Sequence, residues 1–333
     1  MKIAICGGGW SGSLLADTLS KEHEVTVYER SQQLKVICAC GIPTARLHEI
    51  AKRHSLNAED YILWKSKTLT TEHMGKQRCI SMMGLCTFDK YQFMKDLGVN
   101  VQFSTTLNFK SNIHADLVVD ATGARELLGR LPEDVVYVTY QVKARFKERP
   151  VNDFYMRFPS DKGRTLYLWF FPTGEKEAYV GCGSLQGVTA AEQVNHFLHK
   201  HNGETLEKQA KQLRINPPTQ SLPFYKGNLV GVGGTVGAIS SFGEGNEPSA
   251  VTTDLLAENI TDLDAYQKQV CKQLKWLKQE YAYYNSLAQN RKLNMLFNIL
   301  RRHPTTRKRY QVSMNPFAFK KPPFSQSSKR SLI

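Results

Sequence analysis

Long uncharged apolar runs are missing from this 333-residue chain, so a membrane-spanning helix is not expected. The first apolar stretch is broken by glycine too soon to serve as a signal peptide. Together these absences point to a cytoplasmic protein. The seven cysteines are odd in number and scattered, which suits a reducing compartment better than a disulfide framework. No internal repeat is visible. His196, His199 and His201 lack Cys or carboxylate partners at a matching spacing, and Cys38 and Cys40 lack a second pair, so no metal is expected. Acidic residues are absent from 301–333, which carries nine Lys or Arg of the net +14 and leaves +5 for the rest. With its prolines, serines and three phenylalanines, that tail reads as extended or disordered. It is either a solvated basic tail or a segment drawn to anionic lipid or nucleic acid.

What is present begins at the N-terminus. Lys2-Ile3-Ala4-Ile5-Cys6 reads as a buried strand, and Gly7-Gly8-Gly9-Trp10-Ser11-Gly12 fits G-x-G-x-x-G at the start of a helical stretch. A second strand, Glu24-Val25-Thr26-Val27-Tyr28, ends in Glu29, with Arg30 next. This strand–turn–helix–strand–acid order binds the ADP half of a dinucleotide. The glycines admit a pyrophosphate to the backbone, the helix N-terminus offers free N–H groups, and Glu29 accepts from the ribose. The acid favours FAD or NAD over NADP. No second fingerprint of this kind follows.

At 333 residues and 41% hydrophobic content, a sizeable core and two interleaved domains are expected. Residues 99–103 and 115–120 read as strands, the latter ending in Ala121-Thr122-Gly123. From about 135 to 183 the pattern becomes alternating and aromatic, which argues for an antiparallel sheet. Residues 189–213 read as helical, 228–234 as a strand running into glycine, 248–260 as a helix, and 262–302 as helical and amphipathic.

The order of fingerprint, Asp120-Ala121-Thr122-Gly123 strand end, antiparallel insert and late glycine turn resembles FAD-dependent oxidoreductases of the glutathione-reductase type. Within that group the chain is similar to the geranylgeranyl reductases, chiefly the archaeal digeranylgeranylglycerophospholipid reductases that saturate isoprenoid lipid chains. Their signature is Tyr-x-Trp-x-Phe-Pro, a spacer, then Gly-x-Gly. Here Tyr167-Leu168-Trp169-Phe170-Phe171-Pro172 is followed, eight residues on, by Gly181-Cys182-Gly183. The resemblance implies an aromatic-lined substrate channel, with the glycines leaving room for a chain to pass. Cys40-Gly41 stands where such reductases place a Cys-Gly beside the flavin, which makes Cys40 the candidate proton donor. Lys90, in Phe88-Asp89-Lys90, stands in place of a flavin-contacting arginine. The turn at Gly231, with Gly243-Glu244-Gly245 leading to Asn246, resembles the segment that wraps the ribityl and ring. There the chain departs from the family. Val232 replaces an aspartate that bonds a ribityl hydroxyl, a buried contact of about 1–3 kcal/mol, and the proline usual before Gly-Glu-Gly is absent.

The resemblance implies an α/β fold with a Rossmann-type FAD-binding domain (1–134 and 221–262). It further implies an inserted antiparallel-sheet substrate domain (135–220), a helical C-terminal region (263–302) and a basic flexible tail (303–333). The implied activity is reduction of C=C bonds in a prenylated lipid or prenyl diphosphate. Electrons would come from ferredoxin or NAD(P)H. Leu274, Trp276, Leu277, Tyr281 and Tyr284, with the basic tail, would rest on a membrane; nucleic acid is the less favoured partner. A flavin monooxygenase or halogenase of the same fold is the alternative, and a degenerate flavoprotein kept as a binding protein is another.

Overall fold

A computed structural model describes residues 1–73, 75–107, 113–158, 165–184, 187–290 and 308–313. Short apolar runs such as Leu117–Asp120 are buried along their whole length, as strands covered on both faces must be. They form a six-stranded sheet. Lys2–Cys6 runs parallel between Glu24–Tyr28 and Leu117–Asp120. Val101–Gln102 extends one edge in parallel; Leu229–Gly231 extends the other, with Tyr225–Lys226 antiparallel outside it. Helix Trp10–Leu19 packs beside helix Asn246–Glu258. The core between them joins Ile3, Ile5, Leu15, Val27, Val119, Val230 and Leu255.

A second, eight-stranded sheet takes the aromatic strands. Its order is Glu204–Arg214, Val136–Arg145, Glu177–Ser184, Thr165–Pro172, Phe154–Phe158, Thr68–His73, Lys76–Met82 and Val312–Ser313. The pairings are antiparallel except for Phe154–Phe158 on Thr68–His73. Alternation splits the strand Thr165–Pro172 between two cores. Leu168 and Phe170 pack with Ala190, Val194 and Phe197 of helix Gly187–Lys200, while Tyr167 and Trp169 face the opposite way. A three-stranded sheet of Gly41–Pro43, Leu85–Phe88 and Ile62–Lys65 sits on a core that includes Trp10, Phe88 and Phe93.

Three sequence expectations change. The helix expected over 189–213 ends at Lys200, and Glu204–Arg214 is the edge strand, paired with Val136–Arg145. Gly203 allows the reversal, since a Cβ there would come 2.7 Å from the Phe146 ring. The strand's helix-forming Glu, Lys, Gln and Ala are tolerated because its outer face is solvated. The apolar side assigned to a membrane is largely internal: Leu274, Leu277 and Tyr281 are buried, and Trp276 packs against the parallel-sheet core. The Tyr284 side chain lies outside the described residues. Within the basic tail, residues 308–313 are docked, with Val312 and Ser313 paired to Met82 and Ser81. The remainder of 291–333 lies outside the described residues.

Candidate functional site

Three strand ends of the six-stranded sheet converge on one cradle. Gly7 takes φ +110° and lies so near the Asp120 turn that a Cβ would come 2.7 Å from the Ala121 carbonyl. Gly12 packs the helix on the strand: a Cβ would meet the Gly7 carbonyl at 1.9 Å. Gly233, φ +63°, approaches Ser11, and Gly234 approaches Gly123. Gly9, by contrast, faces open space, and no side chain caps the helix that starts there. Its first-turn N–H groups have no intrahelical acceptor. Glu29 accepts from the Gly8 and Ser31 amides at 2.8 Å each, leaving lone pairs for a ribose. Arg30 reaches Glu126 across the cleft edge. An open glycine cradle, an uncapped helix N-terminus and a positioned carboxylate fit the ADP portion of a dinucleotide. Asp120 holds the second turn, accepting from Thr122, Thr235 and the Leu127 and Leu128 amides.

Beside the cradle, Asn246 gathers the other candidates. Its amide donates to the Gly41 carbonyl at 2.9 Å and lies 3.5 Å from Cys38 Sγ, while Lys90 Nζ donates to its Oδ1 at 2.7 Å. Trp10 is a core residue here, donating to the Asn246 carbonyl and stacked near Phe88 and Phe93. Cys40 is buried at φ +57° and hydrogen-bonds to Cys38. That bond, helped by nearby Lys90, holds the Cys38 thiol well below its ordinary range. The same bond, with burial, pushes Cys40 well above it. The shared hydrogen bond thus shifts the two thiols in opposite directions, Cys38 down and Cys40 up.

The aromatic strand links this corner to the late glycine loop. Phe171 covers Gly41, whose missing Cβ would come 2.9 Å from its ring. At the other end the Tyr167 hydroxyl donates to the Phe242 carbonyl and lies close to Gly243, φ +79°. Trp169, with its ring 5.6 Å from Tyr167, is 8% exposed, and its indole N–H has no hydrogen-bond partner among the described residues. Pro172 closes the strand, and its carbonyl accepts from Thr87. Gly181 does not leave room for a passing chain as expected: the Trp169 indole fills it, 2.2 Å from where a Cβ would stand. Gly183 lies in register between Tyr167 and Thr139. Gly231, at the tip of its strand beside Asp120, accepts from the Tyr266 hydroxyl. Val232, where an aspartate was expected, is wholly buried in the parallel-sheet core. Gly245 caps the helix that begins at Asn246, without a side-chain cap bond.

Sequence reasoning missed Gln141, which donates to the Cys38 carbonyl, and Glu280, which accepts from the Ser241 amide at 2.8 Å. It also missed Arg309 and Tyr310, which reach Glu244. None of these lies in a motif; each arrives through tertiary packing.

A parallel nucleotide cradle joined to an aromatic-walled antiparallel sheet defines the class as a two-part dinucleotide-binding fold. Solved structures share it. A geranylgeranyl bacteriochlorophyll reductase-like protein from Thermoplasma acidophilum matches with a TM-score of 0.73 at 17% identity, over 86% of this chain and 87% of that one. A 2-methyl-3-hydroxypyridine-5-carboxylic acid oxygenase matches at 0.64 and 14%, over 93% and 96%. A probable FAD-dependent monooxygenase, pqsL from Pseudomonas aeruginosa, matches at 0.63 and 14%, over 87% and 96%. No protein-family model and no curated protein matches. The chain therefore has the fold of these reductase-like, oxygenase and monooxygenase structures, a Rossmann-type α/β unit joined to an antiparallel sheet.

Proposed function

We propose that the protein is an FAD-dependent oxidoreductase that saturates C=C bonds of isoprenoid chains of the geranylgeranyl type. The observation that carries this reading is the strand Thr165–Pro172. Its Tyr167–Trp169–Phe171 face meets the Cys38–Gly41 turn at one end and the Phe242–Gly245 loop at the other. An apolar wall thus runs beside the residues best suited to the cofactor ring. The likeness to the Thermoplasma reductase-like protein supports the same reading.

When bound, FAD supplies hydride chemistry. Gly7, Gly9, Ser11 and Gly12 would hold its pyrophosphate, Glu29 its ribose, and Gly123, Gly231, Gly243 and Gly245 the rest of its length. Lys90 and Asn246, beside Cys38, help to hold its thiol low. Cys40, shifted up by its bond to Cys38 and by burial, would be the thiol that holds a proton in the buried corner. Tyr167, Trp169 and Phe171 exclude water and fix an unreactive alkene in place, which such chemistry requires. The substrate is a prenylated lipid or prenyl diphosphate, with electrons from ferredoxin or NAD(P)H. Its site of action is the cytoplasm, where contact with a membrane surface rests on the basic tail.

The test begins with the absorbance spectrum of purified protein before and after dithionite, with heat-released flavin identified. Stoichiometric FAD that bleaches, followed by mass gain of two hydrogens per double bond in a geranylgeranyl lipid, is the expected result. Bound FAD that oxidises only with oxygen and an aromatic substrate would replace this reading with an oxygenase. Failure to take up flavin at all would leave a repurposed fold.

A further inference from the structure

The docked segment 308–313 touches the late glycine loop through charges that have little other company. The Gly84 amide donates to the Tyr310 carbonyl at 3.0 Å, and a Cβ on Gly84 would come 2.6 Å from the Tyr310 backbone. Val312 and Ser313 then add to the sheet edge. Arg309 lies 4.0 Å over the Trp276 ring and pairs with both Glu244 (2.5 Å) and Glu247. Tyr310 donates its hydroxyl to Glu244. The side chains of Arg309 and Glu244 are only 11% and 14% exposed. Carboxylates so far from water need partners. Glu247 also has Arg46 at 3.4 Å, whereas the ion pair of Glu244 among the described residues is with Arg309. Glu244 is the middle of Gly243-Glu244-Gly245, and Glu280 accepts from the Ser241 amide of the same loop.

We propose that Arg309 and Tyr310 are positioning residues of the cofactor loop: acting through Glu244, they set the conformation of residues 240–246. The C-terminal segment is then a structural part of the cofactor site. This rests on reading that loop as the one that holds FAD.

The experiment compares full-length wild type with R309M, Y310F, E244Q and the double variant R309M/E244Q. FAD affinity is measured by fluorescence titration, the bound-flavin absorbance spectrum is recorded, and hydrogen exchange of 240–246 is followed without FAD. The expected result for R309M is at least a roughly tenfold loss of FAD affinity, a shifted flavin spectrum and faster exchange in 240–246. R309M/E244Q should recover most of the affinity and the protection, because the stranded carboxylate is gone. Simple loss of the Trp276 stack would affect both variants alike. Wild type that binds FAD, beside R309M with the same affinity, spectrum and exchange, overturns the inference and leaves the FAD reading standing. Wild type that takes no FAD overturns that reading instead, and the exchange comparison decides the role of Arg309 alone.

Discussion

Two glycines of one turn are needed for different reasons, and substitution separates them. Gly12 has no space for a Cβ, so Gly12→Ala is expected to cost of the order of 3 kcal/mol in urea unfolding. Gly9 faces open space at a helix N-cap, where aspartate is well tolerated. Gly9→Asp should leave the urea midpoint almost unchanged while cutting FAD affinity by a factor of roughly ten or more, through repulsion of the pyrophosphate. The cysteine pair yields a second residue-scale expectation. Cys38 is shifted down and partly exposed while Cys40 is shifted up and buried, so iodoacetamide should modify Cys38 near neutral pH well before Cys40, as mass spectrometry of digests would reveal. Cys40→Ser weakens the donor to Cys38 and should slow that modification. The fingerprint glycines and Glu29 were legible in the sequence because local backbone geometry dictates them, whereas the Cys40-Gly41 turn was singled out only through the family resemblance. The opposite shifts of Cys38 and Cys40 were not legible, because they depend on the hydrogen bond between the two and on burial, both set by the folded turn. Lys90 and Asn246 add to them from distant parts of the chain.

Single elements divide their two faces between stability and recognition. Phe170 is fully buried against Phe146 and Phe197, so Phe170→Ala should cost about 3–5 kcal/mol in denaturant unfolding without altering FAD affinity. Its neighbour Trp169, whose indole N–H has no partner among the described residues, packs in the other core. Trp169→Phe should leave the fold intact and change substrate KM in steady-state assays. Period-two alternation exposed this division in the sequence. The edge strand Glu204–Arg214 escaped the same treatment, because Glu, Lys, Gln and Ala favour a helix when read locally. Pairing with Val136–Arg145 overrides that preference. Gly181 misled for a related reason: its empty side belongs to Trp169, which a strand pattern cannot reveal.

At the level of the whole molecule, burial leaves two carboxyl groups titrating near neutrality. Glu244 and Glu280 are each raised from an ordinary 4.5 to about 7, chiefly by loss of solvent. A group raised in this way stabilises the fold fully below about 4.5, and that contribution is lost as pH rises through about 7. The urea midpoint should therefore fall between about pH 5 and about pH 8, and Glu280→Gln should flatten the decline. Composition gave no hint of this, since the tail's positive charge reads as solvated until Arg309 is seen between Glu244 and Glu247. The parallel sheet carries one further consequence, concerning the order in which the protein is made. Leu229–Gly231 pairs with Leu117–Asp120 across five strands of the eight-stranded sheet, and Val312–Ser313 pairs with Lys76–Met82 across most of the chain. A ribosome that has delivered only the first two hundred residues holds a nucleotide turn with one sheet edge still unfilled. Neither sheet reaches its final width until late in translation, so a nascent chain stalled before residue 308 should remain protease-sensitive around residues 76–84.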